Sequence, residues 1–188
     1  MNTKVRVKNG KKQSGVTLLQ FALVAILGTG IATYTYTQYQ QNQRSQQSEQ
    51  MMDSLVGFFA KVKVVKQQWG TYQGFSNTSV WNSDEYLPAT MKSAVRDQFV
   101  TPYSQNGITF GTTNTATDLS GTSTTLTNGY VTAVIANIPA ERCIDEVENY
   151  IDKVIQVNVG TTRISGKAAM DTACAAITGT TNITLIDS

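Results

Sequence analysis

Gly15-Val16-Thr17-Leu18-Leu19-Gln20-Phe21-Ala22-Leu23-Val24-Ala25-Ile26-Leu27-Gly28-Thr29-Gly30-Ile31-Ala32-Thr33-Tyr34-Thr35-Tyr36 decides how the chain is read. Its last 21 residues, from Val16 to Tyr36, contain no Lys, Arg, Asp or Glu. As a helix they would extend about 31 Å, enough to cross a bilayer core. Lys4, Arg6, Lys8, Lys11 and Lys12 precede the run without a single acid. That bias predicts a cytoplasmic N-terminus, with everything after the span extracytoplasmic. Tyr34, Tyr36 and Tyr39 fit an aromatic belt at the outer boundary. A secretory signal peptide is the competing reading; no A-x-A cleavage site follows the apolar core.

The rest of the chain is read as one head on one helix. Of its 188 residues, some 110 to 150 are available for a soluble domain, enough for a real core. The net charge of +2 is carried by the five basic residues of the leader, which leave ten cations against thirteen acids. A nucleic-acid partner recognised through a bulk basic surface is not predicted. Histidine is absent, which removes the commonest acid/base group and the commonest zinc ligand. No P-loop, nucleophile elbow, C-x-x-C or dinucleotide fingerprint occurs, so no catalytic residue, metal site or cofactor is predicted.

Beyond the polar run Gln38 to Gln50, apolar residues recur at helical spacing through Met51, Met52, Leu55, Phe58, Phe59, Val62, Val65 and Trp69. The helix is therefore expected to continue to Gly70, with this face against the head and Trp69 in the core. Thr71 to Tyr86 reads as an irregular connection. Pro88 opens a predicted short helix to about Phe99, burying Met91, Val95 and Phe99. Thr101 to Gly129 reads as exposed strand and loop, and Tyr130 to Ile138 as a central strand. Glu141 to Lys153 is predicted helical, with Ile144, Val147, Tyr150, Ile151 and Val154 inward. Glu141, Asp145, Glu146, Glu148 and Asp152 are placed on its solvated faces, calcium binding being the competing reading. Val154 to Ile164 suggests strand-turn-strand, Ala168 to Ile177 a short helix, and Asn182 to Ile186 a last strand.

Cys143 and Cys174 are the only cysteines. In an oxidising compartment an even pair most simply forms one disulfide, worth roughly 3.7 kcal/mol by loop entropy. Two buried free thiols are the alternative.

Gly15 followed by Val16-Thr17-Leu18-Leu19-Gln20 at the head of an apolar helix resembles the prepilin signal of type IV pilins. The order of elements from Pro139 to Ser188 is similar to the C-terminal region of the type IVb subclass. This resemblance implies a pilin fold of class α+β: a long N-terminal hydrophobic helix carrying a head of antiparallel sheet and short helices. It implies a leader over 1–15 and a helix over 16–70, with a membrane and filament-core half at 16–37 and an amphipathic half at 38–70. The head would cover 71–188. A prepilin peptidase would cut after Gly15 and methylate Val16.

Gln20 stands where the family commonly has Glu, whose carboxylate neutralises the terminal amine of a neighbouring subunit. An amide accepts that hydrogen bond without supplying charge. Gly28 and Gly30 mark, by resemblance, the stretch that unwinds on assembly; close packing through small residues is the alternative. The implied partners are copies of the chain in a helical homopolymer, the peptidase, and the pilus assembly machinery. The implied locations are the inner membrane and then the cell surface, for adhesion, aggregation or conjugative contact. A minor pilin or type II secretion pseudopilin is one alternative, and a single-span membrane-anchored binding module another.

Overall fold

A computed structural model describes residues 16–188. Helix α1 runs Val16–Trp69, and of two compact units the second spans Arg44–Ser188. Within the first unit, Tyr34, Tyr36 and Tyr39 are exposed, and Gln43 Nε2 donates to the Tyr39 hydroxyl at 2.6 Å. Among the described residues no helix is long and apolar enough to cross a membrane. Most side chains of the 16–36 run, on which the expectation of a span rests, lie outside those described.

The second unit is α+β. After α1 come α2 (Asn77–Trp81), β1 (Ile108–Thr117), β2 (Ser123–Pro139), α3 (Cys143–Tyr150), β3 (Gln156–Val159), β4 (Thr162–Arg163), α4 (Lys167–Ala175) and β5 (Thr180–Asp187). The strands form one antiparallel sheet in the order β1-β2-β5-β3-β4. On β2, Val131, Ala133 and Ile135 alternate inward, and Ile183 and Leu185 of β5 do the same. Against this face lies the α1 stripe Met51, Leu55, Phe58, Phe59 and Val62. The Phe58 and Phe110 ring centroids are 4.6 Å apart. The helical period and the strand period thus meet in one core, and each such side chain stabilises by about 1.5–3 kcal/mol relative to exposure. Residues 44–69 of α1 share their compact unit with 71–188. Ala116, Tyr130 and Ile186 form a smaller cluster, joined by Ile155.

Helix α1 stops where expected. Gly70 adopts φ 74, and its N–H returns to the Lys66 carbonyl at 2.7 Å, a left-handed end that glycine accepts without Cβ strain. Trp69, however, is 76 % exposed: the apolar spacing continues one turn beyond the surface it covers. That end is tied to the sheet by an irregularity in β2. Thr113 pairs with Tyr130 and Thr115 with Thr125, so Leu126 to Gly129 bulge opposite the single Asn114. The bulge presents the Asn128 carbonyl to the Tyr72 N–H at 2.9 Å and the Gly129 carbonyl to Lys66 Nζ at 2.8 Å. The Lys66 ammonium also lies 5.6 and 5.4 Å from the centroids of the Tyr72 and Tyr130 rings.

The helix expected over 88–99 does not form. One 3-10 turn covers Ala89–Met91, and Lys92 is already extended. Met91 and Val100 then face each other across a hairpin closed by Ser93 and Gln98. Phe99 is buried, bridging to both Lys92 and Ile108, while Val95 is 55 % exposed in the turn. A four-residue spacing satisfies such a hairpin as well as a helix. The stretch 71–86, read as irregular, contains α2, and the stretch 101–129 is ordered as β1 and the start of β2.

Candidate functional site

Beside α1, a polar cluster inside the head joins the helix to α3. Glu146 is fully buried, which overturns its placement on a solvated face. Its Oε1 accepts from Ser48 Oγ on α1 and from the Tyr103 hydroxyl at 2.5 Å. Ser48 is itself only 2 % exposed, although it belongs to the otherwise polar run 38–50. The reason lies in α3: Cys143, Glu146, Val147 and Tyr150 are its buried residues, spaced as one helical face. Ile144 turns outward at 39 % exposure. The cysteine fixes which face is inward, and Glu146, one turn on, follows it. That relation was available in the sequence to a reader who let Cys143 set the phase rather than the aliphatics.

The surroundings keep the phenols neutral. Burial, then the Glu146 hydrogen bond, pushes Tyr103 up to about 12. Burial raises Tyr150 well above its ordinary value, helped by Glu146, Tyr103 and Asp53. Burial opposes the Arg142 charge, but Tyr103, Asp145 and Glu146 outweigh it, so the guanidinium is held above its usual value. Arg142 Nη1 lies 3.2 Å from an Asp145 carboxylate oxygen. The cluster is a fastener: hydroxyl donors from two other segments converge on one carboxylate. Among the described residues no three His, Cys, Asp or Glu side chains converge to hold a metal.

Cys143 and Cys174 are bonded to each other, with Cα atoms 5.7 Å apart. Both are buried, so the bond joins the inner faces of α3 and α4. Between them β3 and β4 turn at Gly160, where φ is 57, and α4 ends before Gly179 at φ 91. Lys63 Nζ of α1 lies 3.0 Å from the carboxylate of buried Asp187 at the end of β5.

The other predicted positions stand apart from these. Gly15 lies outside the described residues. Val16 is the first residue of α1, and Gln20, Gly28 and Gly30 are within that helix, but their surroundings lie outside what is described. A scan against protein-family models finds no match, and no curated protein matches the chain.

Proposed function

We propose that the chain is a structural subunit of a type IV pilus of the type IVb kind. In this reading the leader is cut after Gly15, and the apolar half of α1 holds the subunit in the inner membrane. The same helix later packs with other copies in a filament at the cell surface. The observation that carries the reading is Gly15-Val16-Thr17-Leu18-Leu19-Gln20 opening an uncharged helical run behind a purely basic leader. The head adds support: residues 51–62 of that helix are built into its core, so force on the helix is carried by the whole head.

Moving some twenty apolar residues from lipid into a helical bundle changes their burial little. Assembly is then driven by packing and by the Gln20 contact rather than by fresh desolvation. A heterologous contact that does not close gives an open helical polymer. The filament would serve adhesion, aggregation or conjugative contact.

Electron microscopy of cells expressing the chain with its export and assembly machinery tests this. Surface filaments containing the chain are expected, and their absence from a host that assembles a control pilin refutes the polymer. Gln20→Leu is expected to impair assembly while leaving the head folded; normal filaments from that variant remove Gln20 from the mechanism.

Gln20 itself favours a second reading, a minor pilin or pseudopilin, since some tip subunits lack the carboxylate. Abundance in sheared filaments separates the two: trace amounts support the minor role. A single-span membrane-anchored binding module would yield no polymer at all.

A further inference from the structure

We propose that the shallow cavity at the end of α1 is a binding subsite for a neutral sugar, with the Trp69 ring as its platform. This goes beyond the filament reading and does not depend on it. The cavity has a volume of about 350 Å³ and is lined by Trp69, Tyr72 and Phe75 together with Thr71, Gln73 and Ser79. That volume lies within the range of small-ligand sites.

Three features select the ligand class. First, none of the lining side chains carries a charge at neutral pH, although charged residues make up 15 % of the chain. Tyr72 stays a neutral phenol, its pKa pushed up to about 12 by burial and then by the Asp187 carboxylate. The nearby Lys66 ammonium is not part of the lining and is engaged by the Gly129 carbonyl and the Tyr72 and Tyr130 rings, so the walls themselves offer a charged ligand no counter-charge.

Second, the walls are divided in kind. Trp69 offers a flat apolar surface at 76 % exposure, while Thr71, Gln73 and Ser79 contribute two hydroxyls and an amide. A purely apolar ligand would strip water from those polar groups without replacing its hydrogen bonds. A pyranose ring has one apolar C–H face and a rim of hydroxyls, and so answers both kinds of wall.

Third, the backbone of the site is fixed in advance. Gly70 N–H bonds to the Lys66 carbonyl at 2.7 Å, Tyr72 N–H to the Asn128 carbonyl at 2.9 Å, and Phe75 N–H to the Tyr72 carbonyl at 3.0 Å. Ser79 Oγ donates to the Gly74 carbonyl at 3.1 Å, and Gln73 N–H to Thr71 Oγ1 at 3.2 Å. Each hydroxyl oxygen keeps a lone pair for a ligand. The Gln73 side chain is exposed and has both its donor and acceptor ends available.

The test uses the full chain in a detergent without a sugar headgroup. The probes are methyl α-D-mannopyranoside, methyl β-D-galactopyranoside and N-acetylglucosamine, with anionic N-acetylneuraminic acid as the comparison. Trp69 and Trp81 are the only tryptophans, so Trp81→Phe leaves the emission of Trp69 as a direct report. Saturation-transfer NMR on the unmodified chain repeats the measurement without relying on that variant. At least one neutral sugar is expected to bind with Kd on the order of 1–10 mM, the scale for a small polar ligand in a shallow site. Trp69→Ala, at an exposed position, should weaken binding at least tenfold, and Gln73→Ala about threefold. Absence of transfer to all three neutral sugars overturns the proposal, and so does transfer that Trp69→Ala leaves unchanged or that the anionic sugar matches. Loss of filaments in Trp69→Ala without any sugar binding also overturns it, assigning the ring to contact between copies instead.

Discussion

Replacing Glu146 probes the joint between α1 and the head. Its Oε1 accepts from both Ser48 and Tyr103, and the side chain is inaccessible to water. Glu146→Ala removes the acceptor and leaves two hydroxyls unpaired, each costing about 1–3 kcal/mol, and it opens space in α3's inner face. No longer burying a carboxylate offsets part of this loss. The expected net destabilisation is about 3–5 kcal/mol. Glu146→Gln keeps an oxygen acceptor in the same place but loses the charge-assisted share and sets an amide NH2 where the second carboxylate oxygen is buried without a partner. Relief of the buried charge offsets part of this, leaving a loss of about 1–2 kcal/mol. Urea unfolding of the full chain, followed by near-ultraviolet circular dichroism, reads both values, provided the slope is unchanged. A double-mutant cycle with Ser48→Ala should return a coupling of about 1–2 kcal/mol. If Glu146→Ala lies within about 0.5 kcal/mol of the unmodified chain, or the cycle returns no coupling, the carboxylate does not fasten helix to head.

Three further outcomes follow from the same geometry. Replacing Cys143 and Cys174 by Ser should cost about 2–5 kcal/mol, bracketing the loop-entropy value, and unfolding with and without reductant measures it. Gly70→Ala meets open space but must hold φ 74, so calorimetry should show a loss of about 1 kcal/mol from backbone strain alone. Tyr72 and Tyr103 are both held at about 12 when folded, above the ordinary tyrosine value of about 10. The unfolded chain therefore releases these protons first. Stability contributed by the neutral phenols is complete below about pH 10 and is lost as pH rises toward 12. Tyr103→Phe should flatten that alkaline decline in a pH series of urea midpoints, and an unchanged slope would contradict the assignment.

Where local chemistry and tertiary packing agree, the sequence was readable. Gly70 ends α1, Gly160 turns β3 into β4, and the alternation of Val157 and Val159 or of Ile183 and Leu185 marks buried strand faces, all from periods and turn residues. Two cysteines in a chain whose N-terminus reads as directing export pointed to the bond that forms. What was misread depends on partners distant in the chain. Ser48 and Glu146 are 98 residues apart: the phase set by Cys143 turns Glu146 inward, but nothing local says that a serine among glutamines will be buried against it. Met91, Val95 and Phe99 repeat at a helical interval, yet the pairing of Phe99 with Ile108 takes that backbone for the sheet edge. Trp69 continues an apolar stripe past the last residue of the head able to cover it, and β1 is long because β2 supplies a partner for its threonines, not because its composition demands a strand.

The mass of the N-terminal peptide, taken from membranes and from sheared surface material, bears most directly on the proposal that the chain is a filament subunit. A chain beginning at Val16 and carrying one added methyl group in both fractions is the predicted result. Retention of Met1, or a new terminus near Tyr36, would contradict it.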